Sequence, residues 1–191
     1  DVLSPREILE RLSRRLDLTA DRTTGARFPT LRAAIGASWD GLDAGARRVL
    51  ATLGIFAGEL SADAAEAVVA DAAVDVVAAL RTLRDRSLLA VRRTTTDGGS
   101  GKNRLRLDAS VRAFARDQLA ASGELEVVAA RHAAWFVGRA TAMANALRRR
   151  GDREARGWLL DEQDELVAIA RGSDPASALG AALALAPLWE R

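Results

Sequence analysis

Gly98-Gly99-Ser100-Gly101-Lys102 has the composition of a phosphate-binding loop. Such a loop follows the pattern G-x-x-x-x-G-K-[ST] between a strand and a helix. Backbone N–H groups at the helix start cradle the phosphates, and the hydroxyl holds magnesium. Here Thr96 stands at the first glycine position, Asn103 at the hydroxyl position, and an alternating strand pattern follows. The stretch reads as a flexible hairpin tip. His132 is the only histidine and there is no cysteine, so nothing completes a metal site, a thiol nucleophile or a histidine-dependent triad. It lies beside Trp135 on the apolar side of a helical pattern, where a packed core histidine is expected. The acidic pairs Asp161-Glu162 and Asp164-Glu165 would poise a general acid only if buried, and the pattern places them on a solvated outer face. The four tryptophans fall within apolar stripes, which predicts core packing. No catalytic residue and no metal site is expected.

What remains is charge. Lys plus Arg total 28 against 26 Asp plus Glu, a net +2; Arg outnumbers Lys 27 to 1, which accounts for the high pI. The distribution is uneven. Residues 61–80 hold four acids and no base, whereas residues 81–115 hold nine bases against three acids. Arg81, Arg84, Arg86, Arg92, Arg93, Lys102, Arg104 and Arg106 are therefore the candidate contacts to phosphate or nucleic acid. Reading base edges needs Arg, Lys, Asn, Gln or Ser on an exposed recognition face. The helix preceding this cluster opens that face with Asp75, Ala78 and Ala79, and only later offers Arg81, Thr82, Asp85 and Arg86. A solvated or intramolecular docking surface fits it better than specific DNA reading.

These residues must be held by a mainly helical chain. About half of the residues are apolar, 41 are Ala and none is Tyr, so a packed core is expected. No apolar run reaches the length of a membrane span and no signal peptide opens the chain. The chain opens at Asp1 without Met and stops at Arg191 within a helical pattern, which predicts a piece of a longer protein. Ser4-Pro5-Arg6-Glu7 forms a capping box ahead of Ile8, Leu9, Leu12 and Leu16, and Asp17 to Pro29 is polar and turn-rich. Helices are predicted over Thr30–Asp40, from the cap Asp43, from the cap Ser61, and from Asp71 with Val76, Val77, Leu80 and Leu83 at helical spacing. Ser87–Arg93 and Asn103–Leu107 read as strands joined by a Gly- and Thr-rich loop. Further helices should start at Asp108, run from Leu125 to Leu147, and cover Arg153–Arg171 and Pro175–Arg191. Short helices followed by a hairpin have the order of a winged helix-turn-helix. The short connections after it predict antiparallel helical hairpins of the tetratricopeptide kind.

The ordered segments resemble a known family. Thr30-Leu-Arg-Ala-Ala-Ile-Gly-Ala-Ser-Trp-Asp-Gly-Leu42, Ala46-Arg-Arg-Val-Leu50 and Leu53-Gly-Ile-Phe-Ala-Gly58 are similar to the start of the winged-helix domain in STAND regulatory ATPases. Among these, the likeness is to bacterial AfsR-like and LuxR-type transcriptional regulators with an NB-ARC module. Leu80-Arg-Thr-Leu-Arg-Asp-Arg-Ser-Leu-Leu89 resembles that family's helix-to-wing passage, and Arg104-Leu-Arg-Leu107 through Val111-Arg-Ala-Phe-Ala115 its second wing strand and next helix. Arg131-His-Ala-Ala-Trp-Phe136 and Trp158-Leu-Leu-Asp-Glu-Gln-Asp-Glu-Leu166 resemble its first superhelical repeats.

The resemblance implies three parts. Residues 1–28 would end the helical part of a nucleotide-binding module and link it onward; 29–122 would be the winged helix, and 123–191 the start of a TPR-like region. It also implies a cytoplasmic, non-catalytic switch segment. The parent would bind and slowly hydrolyse ATP through an upstream P-loop, and no cofactor would sit in this segment. Implied partners are the upstream nucleotide-binding domain and an unidentified inducer or protein on the repeats, with oligomerisation on ADP/ATP exchange and no membrane. The family's Met-His-Asp-type turn, which contacts the nucleotide phosphate, corresponds to Leu107-Asp108-Ala109. Asp108 is then either a nucleotide-sensing residue or only a helix cap, because an acid beside a diphosphate repels it unless a metal or Arg intervenes. Two rival readings stand beside this one: a DNA-binding winged-helix transcription factor using the basic wing, and a protein-interaction scaffold.

Overall fold

The computed structural model of the chain describes residues 31–94, 102–172 and 174–189. The predicted helix after Ser4, the turn-rich stretch 17–29 and the glycine-rich hairpin tip 95–101 lie outside them. Two compact units divide the chain, residues 1–42 and 43–191. In the first, helix α1 (Leu31–Asp40) buries Ile35. It closes through Gly41 N–H to Ala37 O at 3.3 Å and Leu42 N–H to Trp39 O at 3.0 Å.

The second unit opens with α2 (Ala44–Leu53). Asp43 caps it by accepting from Ala46 N–H at 2.7 Å, as its position before an apolar-periodic run predicts. Ala46, Val49, Leu50 and Leu53 are buried along one face. The helix ends at Gly54, where it passes α5 (Ala109–Ala121): a Cβ at residue 54 would stand 2.5 Å from the Arg116 backbone nitrogen. Only glycine permits that approach. Helix α3 (Ala62–Val69) is capped by Ser61.

Helix α4 (Val76–Asp85) begins later than Asp71, the predicted start. The Asp71 carboxylate accepts from Ala73 N–H at 3.0 Å and its carbonyl from Val74 N–H at 3.1 Å. These bonds stabilise a turn instead of the first helical turn. Asp75 supplies the actual cap, accepting from Ala78 N–H at 2.9 Å.

After α4 the chain reverses through Ser87, whose φ is +59°, while Leu88 N–H bonds back to Leu83 O at 2.9 Å. This helix-end motif occupies Ser87 and Leu88, so β1 (Ala90–Thr94) starts three residues later than the predicted strand. It pairs antiparallel with β2 (Lys102–Arg106), with Val91 opposite Leu105 and Arg92 opposite Arg104. Leu60 exchanges both backbone bonds with Leu105, at 2.8 and 2.9 Å, on the other edge of β2. A hairpin alone is marginal; here β2 is flanked on both sides.

A helical layer follows: α5, α6 (Leu125–Arg150), α7 (Arg153–Asp161), α8 (Gln163–Ala170) and α9 (Pro175–Leu185). Helix α5 packs on α2, and α6 contacts α3, α7 and α9. The architecture is mainly helical, a winged helix-turn-helix followed by helical hairpins, as the sequence predicts.

Two further details differ from the sequence reading. The helix predicted over Arg153–Arg171 is two helices that meet at Glu162. The last helix stops at Leu185 and passes into a 3-10 turn, Ala186–Leu188, at Pro187, which has no N–H to continue an α-helix. Trp189 is consequently 65% exposed instead of packed. Leu179 and Leu183 also point outward, because α9 turns its Ala181, Ala184 and Leu185 face inward. Among the described residues no helix is long and apolar enough to cross a membrane.

Candidate functional site

Glu162 and Glu165, one turn apart at the α7–α8 junction, are the buried acids among the described residues. They are 1% and 2% exposed. The expectation that both acidic pairs are solvated therefore holds for Asp161 and Asp164 but not for their neighbours. The reason lies in the periodicity. Leu159, Glu162, Leu166 and Ile169 recur at i, i+3, i+7 and i+10, so Glu162 occupies a position on the core face. That spacing could have revealed it. Burying a carboxylate there requires partners, and each acid has a set.

Glu162 takes Arg104 of β2. The Arg104 guanidinium donates through both Nη1 and Nη2 to the two carboxylate oxygens, the Nη2 bond at 2.9 Å. Nη2 also donates to Glu59 O at 2.6 Å and Asp161 O at 3.2 Å. Burial opposes the Arg104 charge, but the hydrogen bonds and charge of Glu162, with Asp161 and Glu59, outweigh it. The pKa is held above the ordinary arginine range. The break between α7 and α8 leaves the Asp161 carbonyl facing Arg104, so the junction is part of the site.

Glu165 takes the loop after α2 and the core histidine. Both of its oxygens accept from Ala57 N–H at 2.9 Å, and Oε2 also accepts from Gly58 N–H at 3.1 Å. Nε2 of His132, on α6, lies 2.8 Å from Oε1. The imidazole is 5% exposed and is held edge-on by Phe56, with ring centroids 5.0 Å apart; Phe136 lies at 4.8 Å. His132 is thus a core histidine, as expected, with a carboxylate partner. Arg112 of α5 closes the same loop from the other side by donating to Ala57 O. Two short acidic segments therefore clamp the winged helix, through its wing strand and its 56–59 loop, onto the helical layer.

The basic cluster divides accordingly. Arg104, one of the candidate phosphate contacts, is 6% exposed and committed to Glu162, so it offers no contact to an external phosphate. Arg92 is exposed and pairs with Glu59 at 3.0 Å, and Arg84 pairs with Asp85 at 2.8 Å. Such surface pairs hold little energy. Arg81, Arg86, Arg93, Lys102 and Arg106 are exposed. On α4, Val77, Ala78, Arg81, Arg84 and Asp85 face outward and Ala79 is buried. The helix's leading turn thus presents apolar groups beside the cap Asp75. Asp108 stands at the N-cap position of α5 with extended backbone, is exposed, and makes no side-chain cap bond. Among the described residues no group of three or more His, Asp or Glu could hold a metal ion.

The α2–α3–α4 arrangement, the β-hairpin behind it and the Leu60 bridge define the class: a winged helix-turn-helix. The family model for the winged helix-turn-helix domain matches residues 42–120. Comparison with curated proteins and with solved structures gives no match. A winged helix-turn-helix points to a DNA-binding or regulatory role, and domains of this type are typically non-catalytic.

Proposed function

We propose that the chain is the switch segment of a nucleotide-dependent signal-transduction ATPase of the STAND/NB-ARC kind that regulates transcription in the bacterial cytoplasm. In this reading its winged helix serves as a lever and not as a DNA reader. The observation that carries the reading is the double clamp, Arg104–Glu162 and Glu165 with His132, Ala57 and Gly58. It turns part of the wing's basic chemistry inward and makes the winged helix and helical layer move together. A lever needs that rigidity, since loosely tethered parts would dissipate a displacement before it reached the repeats. The outward face of α4, with Val77 and Ala78 at its leading turn, supports the same reading, because it lacks the amide side chains that read base edges.

The ATP or ADP belongs to the upstream domain of the parent, which is this segment's first partner. The helical hairpins are read as the beginning of a TPR-like region that meets an inducer or protein partner, and exchange of nucleotide permits oligomerisation. In this reading Asp108, exposed at the start of α5, is the residue of the wing-to-helix turn that senses the nucleotide state. Hydrogen exchange on the parent chain loaded with ADP and then with a non-hydrolysable ATP analogue tests this. The expected result is a nucleotide-dependent change at residues 107–112, with the Ala57, Gly58 and Leu105 amides equally protected in both states. Identical exchange at 107–112 in the two states, or ATP turnover by purified residues 1–191, would contradict it.

A further inference from the structure

A groove of about 440 Å³ opens between the wing and the helical layer, directly over the Arg104–Glu162 pair. Trp135 and Met143 of α6 and Trp158 of α7 form its apolar wall. The two indoles meet edge to face at 6.4 Å. The guanidinium of Arg139 lies over the Trp158 ring, 5.8 Å from its centroid, so this wall already holds a cation by its π-face. The groove side chains include five carboxylates and three cations, and one of those cations, Arg104, is neutralised by Glu162. Asp63 at the start of α3 and Glu154 at the start of α7 both line the groove, one from the winged helix and one from the helical layer. Neither makes an ion pair among the described residues.

We infer that this groove receives an arginine- or lysine-bearing segment of a partner protein. The acidic excess repels phosphate, which separates this face from the exposed arginines of the wing. A side chain with an apolar stem and a cationic head matches an aromatic wall beneath a carboxylate rim. Such a segment would touch the wing strand and α6–α7 together, above the pair that joins them. The inference does not depend on an upstream nucleotide-binding domain.

The test uses purified residues 1–191 and a fluorescein-labelled nonapeptide of alternating Arg and Leu, followed by polarisation and by the tryptophan indole signals in NMR spectra. Saturable binding in the range of roughly 10–100 µM is expected, with the Trp135 and Trp158 indoles shifting. A counterpart with Glu for Arg should not saturate. The double variant D63N/E154Q changes only exposed groups and should weaken the Arg peptide about tenfold. Three results would overturn the inference. One is no saturation by about 1 mM peptide. Another is equal binding by D63N/E154Q. The third is a response confined to Trp39 or Trp189.

Discussion

Arg104→Met is expected to lower the unfolding free energy by about 3–5 kcal/mol, the usual cost of leaving one member of a buried pair without its partner. Methionine fills much of the arginine stem's volume but leaves Glu162, at 1% exposure, as a buried charge with no counter-charge. The Glu59 and Asp161 carbonyls lose their donor in the same step. For a chain of this size the loss corresponds to a melting temperature lower by about 6–20 °C. The double variant R104M/E162M removes the charge from both sides and should recover most of the loss, since a buried pair is worth little more than well-packed apolar groups. Denaturant unfolding of the four species of the cycle measures it. A single-variant loss below about 1 kcal/mol would mean that the pair is open to water and does not clamp the wing.

Glu165→Ala should cost a comparable amount, about 3–5 kcal/mol, because three donors lose one acceptor: Ala57 N–H, Gly58 N–H and His132. Glu165→Gln keeps one acceptor oxygen and should cost less, about 1–2 kcal/mol. The two clamps differ in what they hold, so the local signature differs as well. Loss of Glu165 should expose the Ala57 and Gly58 amides to rapid hydrogen exchange while Leu60 and Leu105, paired with each other, stay protected. Unchanged protection at Ala57 and Gly58 in Glu165→Ala would contradict the assignment of Glu165 as the anchor of that loop.

The elements of the fold were largely legible in the sequence, because they are written in local signals. Asp43 and Ser61 announce helix starts, and the alternation of Arg104 to Leu107 a strand. Where the structure departs from the periodicity, a side chain's bond to its own neighbourhood prevails. Asp71 closes a turn and delays α4 to Val76, and Ser87 takes a left-handed backbone that pushes β1 to Ala90. The site was harder to see. Arg104 sits in a run of arginines that reads as one electrostatic patch, and only the tertiary fold turns it inward while Arg106 faces out. Glu162 and Glu165 look like members of two solvated acidic pairs until the core stripe through Leu159, Leu166 and Ile169 is extended across them. Their partners are 58 and 33 residues away in sequence, a separation at which no spacing rule operates.

In the proposed function this winged helix is held for leverage and does not read base sequence. Selection from a random duplex DNA library with purified residues 1–191 at about 0.15 M salt tests it most directly. The expected result is no enriched motif, and residual binding that is weak and falls steeply as salt rises, the signature of exposed arginines against phosphate alone. Enrichment of one sequence, bound about a thousandfold or more tighter than bulk DNA at that salt, would contradict it and make α4 and the wing a DNA-reading surface.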